Sequence, residues 1–418
     1  MGPIIIFDKS ALQGLSLDEA VWLEKFFLTN ITPLFYVETL ADLEKPPQKG
    51  RSPEDVISDL ASKTPVLGAN PNVFHHTLVV NDLLGNRIDM SNRPVLGRGE
   101  TKRSPDGRVG VHFKDSPEHE ALRRWNQGEF SEIERQSARV WRALLSGVDF
   151  AYMIDWAKRL VPPGRKLATL HEAKEFADSF VNQASKEVVS FAQQFLNVPE
   201  DVRAAVSARY AADGCPSLST FAPYAAFVLK VDLVFYLGTA ISQISSERPS
   251  NKIDVNYLYY LPFCMAFTSA DRLHERLAPM FMESGQVFVR AADLKASLKQ
   301  LDGHFARYRE EIERVGLISF APYPPQEIEN EVSLLWDRFL PAWRQHATDR
   351  ERPHEPADSE MARRIVEISE SPVHVPAQET EGDPDFVLFT KRVPVRKGSW
   401  RLMPEGIEAQ TERRVHGS

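Results

Sequence analysis

The chain opens on four apolar residues, Ile4-Ile5-Ile6-Phe7, closed by a carboxylate, Asp8. A short unbroken apolar run rich in β-branched residues is the pattern of a strand buried on both faces. Ser16, followed by Asp18 and Glu19, marks a helix start, and Leu17 to Leu28 carries the helical pattern as far as the break at Asn30-Ile-Thr-Pro33. Leu34-Phe35-Tyr36-Val37 then reads as a second strand, with Glu38 leading into a short helix through Leu43. That order of strands and helices predicts a parallel sheet.

From Lys45 to about Pro117 the regularity falls, apart from a short helix predicted from Pro53 to Ser62. So long a loop in a compact domain is functional or poorly ordered as a rule. Residues 118–212 return to helical spacing, with Leu122, Trp125, Ile133, Val140, Trp141, Leu144, Leu145, Phe150, Ile154 and Trp156 as the apolar marks. Phe221 to Ile241 is apolar enough for a membrane span, but Lys230 and Asp232 fall at its centre, where charge is costly in lipid; the pattern predicts a buried helix and no membrane. Strand signals then resume. A helix opening on Asp254 leads to an apolar strand ending near Thr268, a helix covers about 271–282, a strand 286–289, and helices 291–315. Beyond Pro322 we expect an amphipathic helix from Gln326 to His346. A charged, proline-bearing stretch (347–384) follows, with one helix near 358–369, then a candidate hairpin between Phe386–Thr390 and Ser399–Met403. The expected architecture is an α/β parallel-sheet domain in two parts, 1–65 and 221–320. A loop and mainly α-helical insertion at 66–220 interrupts it, and a C-terminal extension at 321–418 follows.

Composition adds limits rather than detail. The 418 residues are 43% hydrophobic and 26% charged, ordinary for a globular chain. A net charge of -8 excludes a surface coated in basic residues but leaves room for a local basic groove. Arg93, Arg98, Lys102, Arg103 and Arg108, and later Lys391, Arg392, Arg396, Lys397 and Arg401, are either a phosphate-tracking surface or a solvated charged face. Cys215 and Cys264 have no metal-type spacing and predict reduced core thiols in a reducing compartment. The first residues lack a basic stretch and a long apolar run, so the expected location is cytoplasmic. There is no phosphate-binding glycine loop, dinucleotide fingerprint or zinc-finger spacing.

The chemistry sits on four acids, Asp8, Glu38, Asp254 and Asp271, each at the predicted edge of an apolar element. Read singly, they are a turn residue, a helix-dipole partner and two helix caps. Read together, they gather at the carboxyl ends of strands, where open α/β sheets bind ligands. Clustered carboxylates repel one another, and a hard divalent cation, Mg²⁺ or Mn²⁺, relieves the conflict. Such an ion also lowers the pKa of water and neutralises phosphate oxygens. Weaker candidates are Ser10, Thr268 and Ser269 as hydrogen-bonding partners, Asp232 as a fifth carboxylate, and His274 beside Asp271; His75-His76 has no partner at metal spacing.

This pattern resembles the PIN-like nuclease domain: Asp8-Lys9-Ser10 after the first strand, Glu38 in Tyr36-Val37-Glu38-Thr39-Leu40, the run from Asp254 to Thr268-Ser-Ala-Asp271, and the trailing strand at 286–289. The resemblance covers about 1–45 and 225–300. It departs from the family pattern at Lys9, where Thr or Ser is commoner, and in the long gap between Glu38 and Asp254. What the resemblance implies is a Mg²⁺- or Mn²⁺-dependent endoribonuclease that hydrolyses RNA by metal-activated water, in RNA processing or a toxin-like or defence role. A regulatory protein partner or a homo-oligomer fits the large insertion. Alternatives are a DNA- or structure-specific nuclease on the same site, a catalytically silent PIN-like scaffold binding protein or RNA, and a helical interaction module.

Overall fold

The structure, a computed structural model, describes residues 2–47, 50–66, 70–71, 73–95, 99–103, 109–113, 117–146, 150–248, 250–349 and 394–405. Strand β1 (Ile4–Phe7) is wholly buried and central. It pairs in parallel with β2 (Leu28–Ile31) on one side, and β2 with the two-residue β3 (Asn70–Pro71). Two antiparallel strands, β4 (Gly99–Arg103) and β5 (Val109–Phe113), form a separate hairpin. On the other side of β1 lies β6 (Ala266–Ser269), then β7 (Val287–Arg290), again parallel. The sheet order is β3-β2-β1-β6-β7, with helices around it. The chain leaves β1 to one side first and returns to its other side some 260 positions later. The β1/β6 boundary is therefore the switch point, and its carboxyl end is the natural crevice.

The second strand is not where the apolar run suggested. Leu34, Phe35 and Tyr36 are buried residues of a helix, Pro33–Leu40, and the strand is the preceding Leu28-Thr-Asn-Ile31. Thr32 caps that helix through Phe35 N at 3.3 Å, and Pro33 holds its first position, where a missing N–H costs nothing. The helix before β2 runs Leu17–Phe26, with Ser16 and Glu19 forming a reciprocal capping box. Asp254 does not open its helix; it lies inside Ser250–Tyr257, which a short 3₁₀ segment, Leu258–Phe263, joins to β6.

The described part of the stretch after Lys45 carries more regular structure than its prolines and glycines implied. It holds helices Pro53–Lys63 and His75–Leu83 as well as β3 and the β4–β5 hairpin. The described residues between 117 and 212 are mainly helical, as the spacing predicts. Pro223–Ala240 is long and apolar enough to cross a membrane, yet most of it is buried within this fold. One continuous hydrophobic cluster joins the sheet to the helical layer. The C-terminal helix is broken at Leu340-Pro341 into Glu331–Phe339 and Trp343–Asp349. The helix near 358–369 and the strand Phe386–Thr390 fall outside the described residues. The hairpin that is described pairs β8 (Arg396–Lys397) with β9 (Trp400–Arg401). It docks on the N-terminal helices: Lys397 Nζ is buried 2.7 Å from Glu24 Oε2 and donates to the Thr64 carbonyl. Trp400 and Trp22 both donate to Asp302 Oδ1 at 2.9 Å.

Candidate functional site

Register puts Phe7 opposite Thr268, so Asp8 and Ser269 emerge side by side at the carboxyl ends of β1 and β6. Asp8 caps the helix Lys9–Gly14, accepting from Ala11 N at 2.9 Å through Oδ1. Its Oδ2 accepts from the hydroxyls of Ser10 and Ser269, both at 2.7 Å. Ser10 Oγ in turn accepts from Ala270 N at 3.1 Å. Asp271 caps the helix Arg272–Phe281 through Leu273 N, and its own N–H donates to Ser269 Oγ at 2.9 Å.

His274 lies fully buried behind these groups. Its Nε2 is 2.6 Å from the backbone carbonyl of Asp254, which can only accept. Ser269 gives its single proton to Asp8, so His274 Nδ1, 2.8 Å from Ser269 Oγ, must donate there. Both ring nitrogens therefore carry protons, and the ring is an imidazolium 3.5 Å from Asp8 Oδ2. Burial opposes that charge, but Asp8 and the Asp254 carbonyl outweigh it and bring the pKa up to about 9. Burial likewise opposes the charge on Asp8, and the pairing with His274, Ser10 and Ala11 holds its carboxyl below the ordinary value.

Glu38 reaches the same edge from its helix. Tyr257 donates to Oε2 at 2.7 Å, and Lys9 Nζ stands 3.0 Å from Oε1. Lys9 is also 3.0 and 3.2 Å from the two oxygens of Asp42, whose Oδ1 is shared with Lys45 at 2.7 Å. Asp254 differs from the other three acids: its carboxylate has no hydrogen bond or ion pair among the described residues. Burial first, then the charges of Asp271, Glu38 and Asp8, push it up to about 7 against the pull of His274.

The structure thus brings Asp8, Glu38, Asp254 and Asp271 into one electrostatic neighbourhood, with Ser10, Ser269 and His274 inside it. It does not close them into a ligand shell: among the described residues no three His, Cys, Asp or Glu groups stand together as a metal-holding set. In kind the donors fit a hard cation, since all are carboxylate oxygens and Asp254 has no hydrogen bond or ion pair among the described residues. Two of the weaker candidates lie elsewhere. Thr268 points to the opposite face of β6, into a water-sized cavity lined by Phe7, Leu12, Leu23 and Leu294. Asp232 is tied to Lys252 and to the Tyr259 hydroxyl, which makes it a core ion pair rather than a fifth site acid. His75 packs on Tyr259 and His76 meets the Asn197 carbonyl, neither near the acids. Lys9 was visible only as a departure from pattern, and Asp42 and Tyr257 gave no sequence signal. No family model matches the chain, and neither the curated proteins nor the solved structures provide a match.

Proposed function

We propose that this chain is a PIN-like phosphodiesterase, most simply an endoribonuclease, acting at the carboxyl ends of β1 and β6. The observation that carries the reading is Asp254: three other acids of the set act on its charge, burial and those charges push its carboxyl up to about 7, and it has no hydrogen bond or ion pair among the described residues. Asp8, Glu38, Asp254 and Asp271 are the residues that would hold Mg²⁺ or Mn²⁺. When bound, such an ion supplies Lewis acidity toward the phosphate and a lowered pKa for water. Ser10, Ser269 and the His274 imidazolium fix the orientation of Asp8, and Asp271 is held by its cap to the following helix.

The test is cleavage of single-stranded and structured RNA by the full chain with Mn²⁺ or with EDTA. Asp271→Asn keeps a capping side chain and should fold. Cleavage that needs the ion and falls at least about 100-fold in Asp271→Asn supports the reading, since Asp271 would help to hold the ion, and about 100-fold is the scale of losing one element of transition-state charge stabilisation. Activity that survives both sinks it. Parallel assays on single-stranded DNA and flaps separate the DNA-directed variant of the same chemistry. A second reading, a silent scaffold that binds protein or RNA, has one observation on its side: Lys9 and Tyr257 already engage both oxygens of Glu38.

A further inference from the structure

We propose that Lys9 sets the cation affinity of the acid pocket by competing for Glu38, with Asp42 as its alternative partner; this rests on the preceding reading that the acids hold a divalent ion. Lys9 is buried, so its ammonium must always have carboxylate partners. It has two, Glu38 Oε1 at 3.0 Å and Asp42 at 3.0 and 3.2 Å. Tyr257 engages the other Glu38 oxygen, which leaves Oε1 as the oxygen in contention. The ammonium can give up Glu38 and keep Asp42, so releasing Glu38 does not strand a buried charge. A dication at Glu38 repels Lys9 toward Asp42, and a tethered ammonium at Glu38 repels the dication by the same interaction. Lys45 attends Asp42 from the solvent side, so Asp42 keeps a cation when Lys9 is removed.

The two partners of Lys9 predict opposite outcomes, which a merely structural lysine would not. Removing the ammonium should strengthen cation binding; removing Asp42 should confine Lys9 to Glu38 and weaken it. The experiment is a titration of the full chain with Mn²⁺, free ion read by electron paramagnetic resonance and folding checked by circular dichroism. It compares the wild type with Lys9→Met, Asp42→Asn and Asp254→Asn; Lys9→Gln, which can still donate to both carboxylates, substitutes if Lys9→Met does not fold. The expected result is binding about tenfold tighter in Lys9→Met, about tenfold weaker in Asp42→Asn, and lost in Asp254→Asn, the scale of one close charge pair. Equal or weaker binding in the Lys9 variants, with wild type binding and Asp254→Asn blank, overturns the role of Lys9 and leaves the cation site standing. No Mn²⁺ binding in the wild type or any variant overturns the cation reading and this inference with it.

Discussion

One helix, Ser250–Tyr257, serves two charged clusters that are built differently. Lys252 places its three ammonium protons on Asp232, on Asn256 Oδ1 at 3.0 Å and on the Tyr259 hydroxyl, with the rings of Tyr236 and Tyr259 within 5.6 and 5.1 Å. Tyr259 completes the set by donating to Asp232. Charge and hydrogen-bonding capacity both close. Asp254 and Tyr257 belong instead to the acid pocket. There, among the described residues, five carboxylates (Asp8, Glu38, Asp42, Asp254, Asp271) face three cations (Lys9, Lys45, His274), and the Asp254 carboxylate has no hydrogen bond or ion pair. A balanced buried cluster has no need of a ligand. An unbalanced one costs stability, and fold stability alone does not account for it.

The sharpest way to break this contrast is Lys252→Met. It leaves Asp232 in a largely apolar helix without its cation and should cost about 3 kcal/mol or more in urea unfolding, with Mn²⁺ making no difference. A loss below about 1 kcal/mol would mean that Asp232 is better solvated than its surroundings suggest.

In the pocket the sign reverses. Asp254 rises from 3.8 to about 7 on folding, so the folded state binds its proton more tightly than the unfolded state. Stability therefore falls as pH rises across that interval and stays at the lower level above it. Asp254→Asn should remove that slope and stabilise the protein at pH 8 by roughly 1–2 kcal/mol, a figure reduced for solvent screening of a half-buried side chain. Thermal melting from pH 4 to pH 8 checks it, and parallel curves for the two proteins would contradict it. The smallest effect belongs to Asp271→Asn. Asn caps a helix about as well as Asp, so stability should move by no more than about 0.5 kcal/mol, which would tie any loss of cleavage in that variant to chemistry.

Much of the sheet was legible because its signals were local. The Ile4–Phe7 run, the Ser16 cap and Asp271 ahead of its helix each lie within a few residues. The second strand was misplaced because a short apolar run suits a buried helix as well as a strand. The deciding pair, Thr32-Pro33, stood in plain sight as a capping residue and a first-turn proline. The acids were found as candidates because each follows an apolar element. What neutralises them was not found, because Lys9 meets Glu38 and Asp42 across 29 and 33 positions and Tyr257 meets Glu38 across 219. No spacing rule reaches that far. His274, a minor candidate by position, proves central only once Ser269 and the Asp254 carbonyl fix its protons.

The docking of the β8–β9 hairpin has a consequence for the order in which the molecule can be made. During synthesis Asp8 emerges first, yet Ser269 and His274, which hold it in place, follow more than 250 residues later. Glu24 waits longer still for Lys397. Contacts so remote in sequence form late. The pocket therefore cannot assemble until His274 has been made, and a translation product interrupted before it carries Asp8, Glu38 and Asp254 without the geometry that could make them act.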